Sequence, residues 1–178
     1  MGNSLGGQEI NCEIIDTFIG QIRLVEVNRR VVSLGFYDDS ITEEIQVADA
    51  KVNLNGPTRY GDSLRAYFAG DLKALNDWEV NLNGSEFQIA VWSALGVVPA
   101  GETRSYKWLA NEVGQPTAIR AVANAVGRNP IIVSLPCHRI IATSGGLGGF
   151  TGGLWRKIKL LKHEGADCVR QGSLWGGA

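Results

Sequence analysis

Apolar and polar residues alternate along the first third of the chain. The alternation runs through three segments, CEIIDTF, QIRLVEV and VVSLGF, and this period of two is typical of half-buried strands. Turn residues separate the segments, Ile19-Gly20 first and Asn28-Arg29-Arg30 second. The pattern predicts three successive strands of an antiparallel meander. The charged stretch from Asp38 to Lys51 has no clear period.

A helical spacing follows the meander. Asp62 or Ser63 is a candidate N-cap, and Gly70 should weaken or bend the helix. The apolar positions of this helix are Leu64, Tyr67, Phe68, Leu72 and Leu75. We therefore expect a small α/β domain over residues 1 to 80, followed by a linker at residues 81 to 84, NLNG.

Three helices are predicted next. Ser85 and Gln88 have the form of a capping box ahead of a stripe formed by Phe87, Val91 and Leu95. A second helix begins near Ser105 and ends at Gly114. A third, AIRAVANAVG, closes at Gly127 and should bury the residues Ile119, Val122, Ala123 and Val126. The short turn between the last two predicts a helix-turn-helix.

The outward face of that third helix combines positive charge with small side chains. The residues predicted on or just beyond this face are Arg120, Ala121, Asn124, Ala125 and Arg128. Small side chains allow a helix backbone to approach a surface closely, and a nucleic-acid groove would accept such a face. An ordinary helix hairpin, in which alanine merely favours helicity, explains the same residues.

A cysteine follows an apolar run in the segment IIVSLPCHRII. The run from Ile131 to Leu135 predicts a buried strand, which Pro136 must end. Cys137 then lies beside an imidazole and a guanidinium, and either group can lower the pKa of a thiol and favour the nucleophilic thiolate. A small buried hydrophobic cysteine is the alternative. The tripeptide alone leaves both interpretations open.

A glycine-rich loop and a last helix complete the chain. The helix is predicted over residues 152 to 162, with Leu154, Ile158 and Leu161 inward, and with Arg156, Lys157, Lys159 and Lys162 outward. Glu164 is the carboxylate in this segment that could orient an imidazole, although a surface acid is the simpler reading. The tail of residues 166 to 178, with Cys168 and Trp175, has no period.

Charge is distributed unevenly along the 178 residues. Residues 1 to 100 hold 7 Lys/Arg and 14 Asp/Glu, whereas residues 101 to 165 hold 9 Lys/Arg and 3 Asp/Glu. This pattern is typical of a polyanion-binding domain joined to an acidic one, although solvated surfaces could also produce it.

Composition excludes several classes of protein. Three widely spaced cysteines and two histidines predict no disulfide framework, metal site or cofactor. There is no apolar run near 18 residues and no apolar leader, so we expect no membrane contact and a cytoplasmic location, or a nuclear one in a eukaryote.

Five motifs together resemble the O6-alkylguanine-DNA alkyltransferase family. In order they are FQIAVWSAL, VPAGETRSYKWLA, AIRAVANAVGRNP, SLPCHRII and GFTGGLWRKIKLLKHEG. The resemblance is close over residues 85 to 165 and limited to size and pattern before them. It implies an α/β (α+β) fold with a small antiparallel-sheet domain and a mainly helical domain that carries a helix-turn-helix and an active-site cysteine.

The resemblance also implies an activity. Cys137 would take the alkyl group from O6-alkylguanine, with O4-alkylthymine as a second candidate, in a single irreversible turnover. His138 would deprotonate the thiol through a water, and Glu164 would orient His138. Tyr106 would assist the departing guanine, and Asn129 would brace the turn before the cysteine.

DNA contacts follow from the same resemblance. Arg120 would fill the space left by a nucleotide flipped through the minor groove. The further residues expected at DNA are Ala121, Asn124, Arg128 and Arg139. The base pocket would be lined by Ile140, by Phe150 in place of a common tyrosine, and by Thr151 in place of a small residue. The partner would be double-stranded DNA containing the lesion, bound by a monomer.

Two other functions remain open at this stage. A Cys-His-Glu hydrolase would use Cys137, His138 and Glu164 with turnover and without Arg120. A non-catalytic helix-turn-helix regulator or lesion sensor would bind DNA and use Cys137 only structurally.

Overall fold

The computed structural model describes residues 9–37, 51–54 (backbone only) and 56–166. By its internal contacts the chain divides into two compact units, Met1–Leu82 and Asn83–Ala178. Several sequence-based predictions lie outside the described residues. They concern the charged stretch before Lys51 and the tail with Cys168 and Trp175.

The first unit is built on a four-stranded sheet. Its strands are β1 (Glu9–Thr17), β2 (Gly20–Val27), β3 (Arg30–Phe36) and β4 (Lys51–Leu54), in the order β3-β2-β1-β4. The predicted meander of β1, β2 and β3 is confirmed, and Asn28 and Arg29 close its second hairpin with φ of 50° and 64°. Strand β4, which was not predicted, pairs with β1 in parallel.

One helix follows the sheet. Helix α1 spans Gly61–Phe68 and its N-cap is Tyr60, so the predicted caps at Asp62 and Ser63 are wrong. The predicted continuation through Leu72 and Leu75 is also wrong, because the chain leaves the helix at Gly70 with φ of 115°.

Two carboxylates of the sheet bind the segment that leads into α1, which has no side-chain cap. The Glu26 carboxylate accepts hydrogen bonds from the backbone N–H groups of Arg59 and Tyr60, both at 3.0 Å. Glu13 accepts from the backbone N–H and the hydroxyl of Thr58, at 2.8 and 2.6 Å. Carboxylates distant in sequence therefore bind the backbone N–H groups of the segment before the helix. A search for local capping motifs could not predict such partners.

The second unit is mainly helical. Its helices are α2 (Glu86–Leu95), α3 (Tyr106–Glu112), α4 (Ile119–Gly127) and α5 (Leu154–His163), and its short strands β5 (Arg104–Ser105) and β6 (Ile140–Ile141) pair in parallel. The predicted capping box at Ser85 and the predicted start near Ser105 are confirmed. The α+β fold class is confirmed as well. No helix of the described residues is both long and apolar enough to cross a membrane.

The predicted strand from Ile131 to Leu135 is wrong, because this segment is a turn. Val133 has φ of 68°, and the Leu135 N–H donates to the Ile131 carbonyl at 3.1 Å. The Asn129 side chain pins both ends: its Nδ2 donates to the Leu135 carbonyl at 2.7 Å and its Oδ1 accepts from the Ile131 N–H at 3.0 Å. An apolar run of this length is thus buried without extended pairing.

Two predicted helix faces also need correction. In α4, Ile119 is exposed, whereas Ala125 is buried and its carbonyl accepts the Trp92 Nε1–H at 2.8 Å. In α5, Leu154 is exposed and Lys157 is fully buried, the reverse of the prediction. Val122 and Val126 of α4 are buried as predicted.

Candidate active site

Cys137 begins a single turn of 3-10 helix, Cys137–Arg139, directly after the turn that Asn129 pins. Its side chain is almost completely buried. The structure brings the predicted site residues Asn129, His138 and Tyr106 close to this thiol. Besides burial, the Asn129 side chain affects the pKa of Cys137, and Cys137 affects the pKa of Tyr106, so both residues lie near the thiol.

His138, Glu164 and Arg139 form a buried hydrogen-bonded cluster. His138 Nε2 lies 2.9 Å from Glu164 Oε1, and both side chains are completely inaccessible to solvent. Arg139 donates to both oxygens of the same carboxylate, through Nη2 at 2.8 Å and Nε at 2.9 Å, and its Nη1 donates to the carbonyl of Val98. The prediction that Arg139 contacts DNA is therefore wrong, because its guanidinium is buried and is hydrogen-bonded to Glu164 and Val98.

The charges of this cluster fix the tautomer of His138. Burial by itself would raise the pKa of Glu164, but the hydrogen bonds from His138 and Arg139 and the charge of Arg139 hold it well below its ordinary value. Burial lowers the pKa of His138, and the charges of Arg139 and Lys157 lower it further against the effect of Glu164. The imidazole is therefore neutral and donates from Nε2, since a carboxylate only accepts.

The other ring nitrogen of the imidazole is consequently a proton acceptor. Nδ1 of His138 is buried and has no hydrogen-bonding partner among the described residues. A buried lone pair without a partner costs stability, and a catalytic role is one explanation for keeping it. The cluster thus presents a base in the environment of the neighbouring cysteine.

Burial raises the pKa of the Cys137 thiol. A hydrogen bond from Asn129, the charge of Lys157 and the backbone N–H groups of Cys137 and His138 lower it, without overcoming the burial. Of the two interpretations that the sequence left open, this direction agrees with a buried thiol and not with a resting thiolate. At rest the site holds a neutral thiol and a neutral imidazole, so the thiolate must form by proton transfer.

Lys157 is a member of this site that the sequence analysis missed. Its Nζ donates to the carbonyls of Ile140 at 2.6 Å, Leu147 at 2.5 Å and Gly149 at 3.4 Å. Its position four residues before the buried Leu161 was the signal that it shares the inward face of α5. Its ammonium supplies a fixed positive charge. Across the described ranges, no group of three His, Cys, Asp or Glu residues could hold a metal ion.

The predicted pocket residues have different environments. Tyr106 is half-buried, and both burial and the nearby Cys137 raise its pKa. Phe150 is half-buried, and the exposed Thr151 donates its hydroxyl to the carbonyl of Gly127 at 3.1 Å. Ile140 has no accessible surface, so the prediction that its side chain lines the pocket is wrong.

The predicted DNA-facing residues of α4 lie on the exposed side of that helix. They are Arg120, Ala121, Asn124 and, at the C-cap, Arg128. Val122, Ala125 and Val126 hold the opposite side in the core. These exposed positions combine two guanidinium groups with Ala121 and Asn124, which suits an approach to a nucleic-acid groove.

Known sequences match the second unit strongly. The family described as 6-O-methylguanine DNA methyltransferase, DNA binding domain, matches residues 86–166. A methylated-DNA–protein-cysteine methyltransferase from Mycobacterium tuberculosis is 52% identical over 103 residues, which are 58% of this chain and 62% of that protein. One of the same name from Salmonella typhimurium is 44% identical over 115 residues, which are 65% of this chain and 67% of that protein.

Solved structures extend the likeness to most of the chain. The crystal structure of the Mycobacterium tuberculosis O6-methylguanine methyltransferase superposes with a TM-score of 0.72 at 38% identity, covering 88% of this chain and 93% of that one. A Pyrococcus kodakaraensis methyltransferase shares the fold, with a TM-score of 0.64 at 22% identity over 88% of this chain and 99% of that one. The mycobacterial structure is 38% identical to this chain and is covered over 93% of its length. This chain therefore belongs to the O6-methylguanine-DNA methyltransferase (methylated-DNA–protein-cysteine methyltransferase) family.

Proposed function

We propose that this chain repairs O6-alkylguanine in double-stranded DNA by transferring the alkyl group to Cys137, once per molecule. The observation that carries the proposal is the buried pairing of His138 with Glu164, which leaves Nδ1 as an available base on the residue that directly follows Cys137. The names of the relatives describe the same chemistry, and one mycobacterial relative was crystallised in complex with DNA.

The transfer balances without a cofactor. The thiol proton passes to His138 Nδ1, directly or through one water, and the resulting imidazolium is stabilised by the Glu164 carboxylate at 2.9 Å. The Cys137 sulfur then attacks the carbon on guanine O6. A C–S bond forms, the C–O6 bond breaks, and its electron pair leaves with the base, which takes up a proton. Tyr106, beside the thiol, is our candidate for assisting the departing guanine.

A neutral resting thiol suits a single-use nucleophile. A permanent thiolate in a buried site would carry a large desolvation cost and would react with other electrophiles. Because burial keeps Cys137 protonated, the sulfur becomes reactive when a bound base completes the site. The product thioether carries no charge, so its burial costs little.

The exposed face of α4 is our candidate for the DNA contact. A base inside the duplex cannot be attacked along the C–O6 bond, so the nucleotide must leave the stack. Arg120 would fill the space it leaves, while Ala121 and Asn124 let the helix approach the minor groove. Arg128 lies at the C-cap of the same helix and is exposed. These four residues provide DNA contacts without Arg139.

Intact-mass measurement tests the proposal. The protein is incubated with a duplex containing O6-methylguanine, and the peptide with Cys137 is then mapped. We expect the gain of one methylene per molecule at Cys137 and none in Cys137→Ala, which should still bind the duplex because the α4 face is unchanged.

Two other results would contradict the proposal. An unchanged mass with retained binding would indicate a lesion sensor. Repeated turnover of a thiol-reactive ester would indicate a hydrolase.

A further inference from the structure

The C-terminal end of α4 is held by side chains from two other segments. The last carbonyls of a helix have no partner within it and need donors from elsewhere. In α4, the Ala125 carbonyl accepts from Trp92 Nε1 at 2.8 Å and the Gly127 carbonyl accepts from Thr151 Oγ1 at 3.1 Å. Trp92 belongs to α2, whereas Thr151 directly follows Phe150 in the glycine-rich segment.

The segment around Phe150 is fixed on both sides. Before Phe150, Lys157 Nζ binds the carbonyls of Leu147 and Gly149. After Phe150, the Thr151 hydroxyl binds the end of α4 at Gly127. The Lys157 bonds tie the segment to its own helix α5. The Thr151 bond ties it to α4, the helix with the DNA-facing residues.

We infer that Thr151 is a positioning residue, which sets the base-binding segment against the DNA-contacting helix through its hydroxyl. The inference rests on the proposed function. In duplex DNA, α4 and Phe150 would hold parts of the same nucleic acid, so a shift between them misplaces the reacting carbon relative to Cys137. A free O6-alkylguanine base has no contact with α4 and does not depend on that alignment.

Substitutions at Thr151 can separate the contribution of its hydroxyl from the contribution of its size. Thr151→Val has almost the same shape and cannot donate, Thr151→Ala removes both, and Thr151→Ser keeps the donor. Thr151 is exposed, so these variants should fold.

The experiment measures single-turnover rate constants for alkyl transfer from duplex O6-methylguanine and from free O6-methylguanine base. The readout is the duplex rate divided by the free-base rate for each protein. We expect this ratio to fall about fivefold in Thr151→Val and Thr151→Ala, equivalent to about 1 kcal/mol and to one neutral hydrogen bond. Thr151→Ser should keep the wild-type ratio, because serine retains the hydroxyl donor.

Three outcomes would overturn the inference. A ratio that is unchanged in Thr151→Val, whether or not both rates fall, would show that the hydroxyl does not couple the two elements. If the ratio falls as much in Thr151→Ser as in Thr151→Val, the effect comes from the shape of the side chain and not from its hydroxyl. Failure of the wild-type protein to transfer alkyl groups from either substrate would refute the proposed function itself, which is a distinct result.

Discussion

Arg139 controls the protonation of His138, because both side chains bind the same carboxylate. In Arg139→Met, Glu164 loses two charge-assisted hydrogen bonds, at 2.8 and 2.9 Å, and keeps its bond to His138. The charge of Arg139 also lowers the pKa of His138, so its removal raises that pKa. We therefore expect the variant to protonate His138 at a pH where the wild-type protein holds it neutral.

The cost follows from burial. The Glu164 side chain is 0% exposed and that of Arg139 is 10% exposed. Breaking a buried ion pair on one side costs about 3 to 5 kcal/mol, which is a large part of the stability of a domain. Protonation of His138 offsets part of this loss, because it places a positive charge beside Glu164 again. The deficit of the variant relative to wild type should consequently be largest near pH 8 and smaller near pH 5.

Two measurements follow from this reasoning. Urea unfolding of Arg139→Met and wild type at several pH values gives the stability deficit. The rate of alkyl transfer against pH gives the acid limb, at which His138 becomes protonated and stops acting as a base. We expect that limb at a higher pH in the variant, with Arg139→Lys shifted less because it keeps the positive charge.

DNA affinity separates this role from the one predicted by sequence alone. A buried Arg139 makes no phosphate contact, so affinity for undamaged duplex and its salt dependence should match those of wild type in folded Arg139→Met. An unmoved acid limb, or a salt dependence reduced by one contact, would refute the assignment.

Two further predictions concern Lys157 and Glu13. Lys157→Met should raise the pKa of Cys137, because the charge of Lys157 lowers it. The pH midpoint for alkylation of that thiol by iodoacetamide should therefore be higher in Lys157→Met, and it should be unchanged in the exposed control Lys159→Met. Equal midpoints in the two variants would contradict this. Burial alone would raise the pKa of Glu13, but hydrogen bonds from Thr58 and Arg65 lower it. Glu13→Gln should therefore lose about 1 to 3 kcal/mol of unfolding free energy at pH 7, and this difference should shrink as the pH falls below about 4.5 and disappear only below the lowered pKa of folded Glu13. A pH-independent difference would argue against it.

Local chemistry determined much of the architecture from the sequence. The alternation in β1, β2 and β3, the capping box at Ser85 and the cap at Ser105 each depend on residues within a few positions of one another. Such signals do not require a fold to be known. The motif around Cys137 and the small-residue face of α4 were visible for the same reason.

The tertiary structure alone decided where the charges of the site go. Arg139 binds Val98, 41 residues away, and Glu164, 25 residues away, while Lys157 binds carbonyls 8 to 17 residues away. Lysine and arginine side chains are expected in solvent unless partners are known. Folding brings these two side chains to the carbonyls and the carboxylate without which their burial would be unfavourable. The same holds for the turn from Ile131 to Leu135, whose apolar residues predict burial but whose shape depends on the side chain of Asn129.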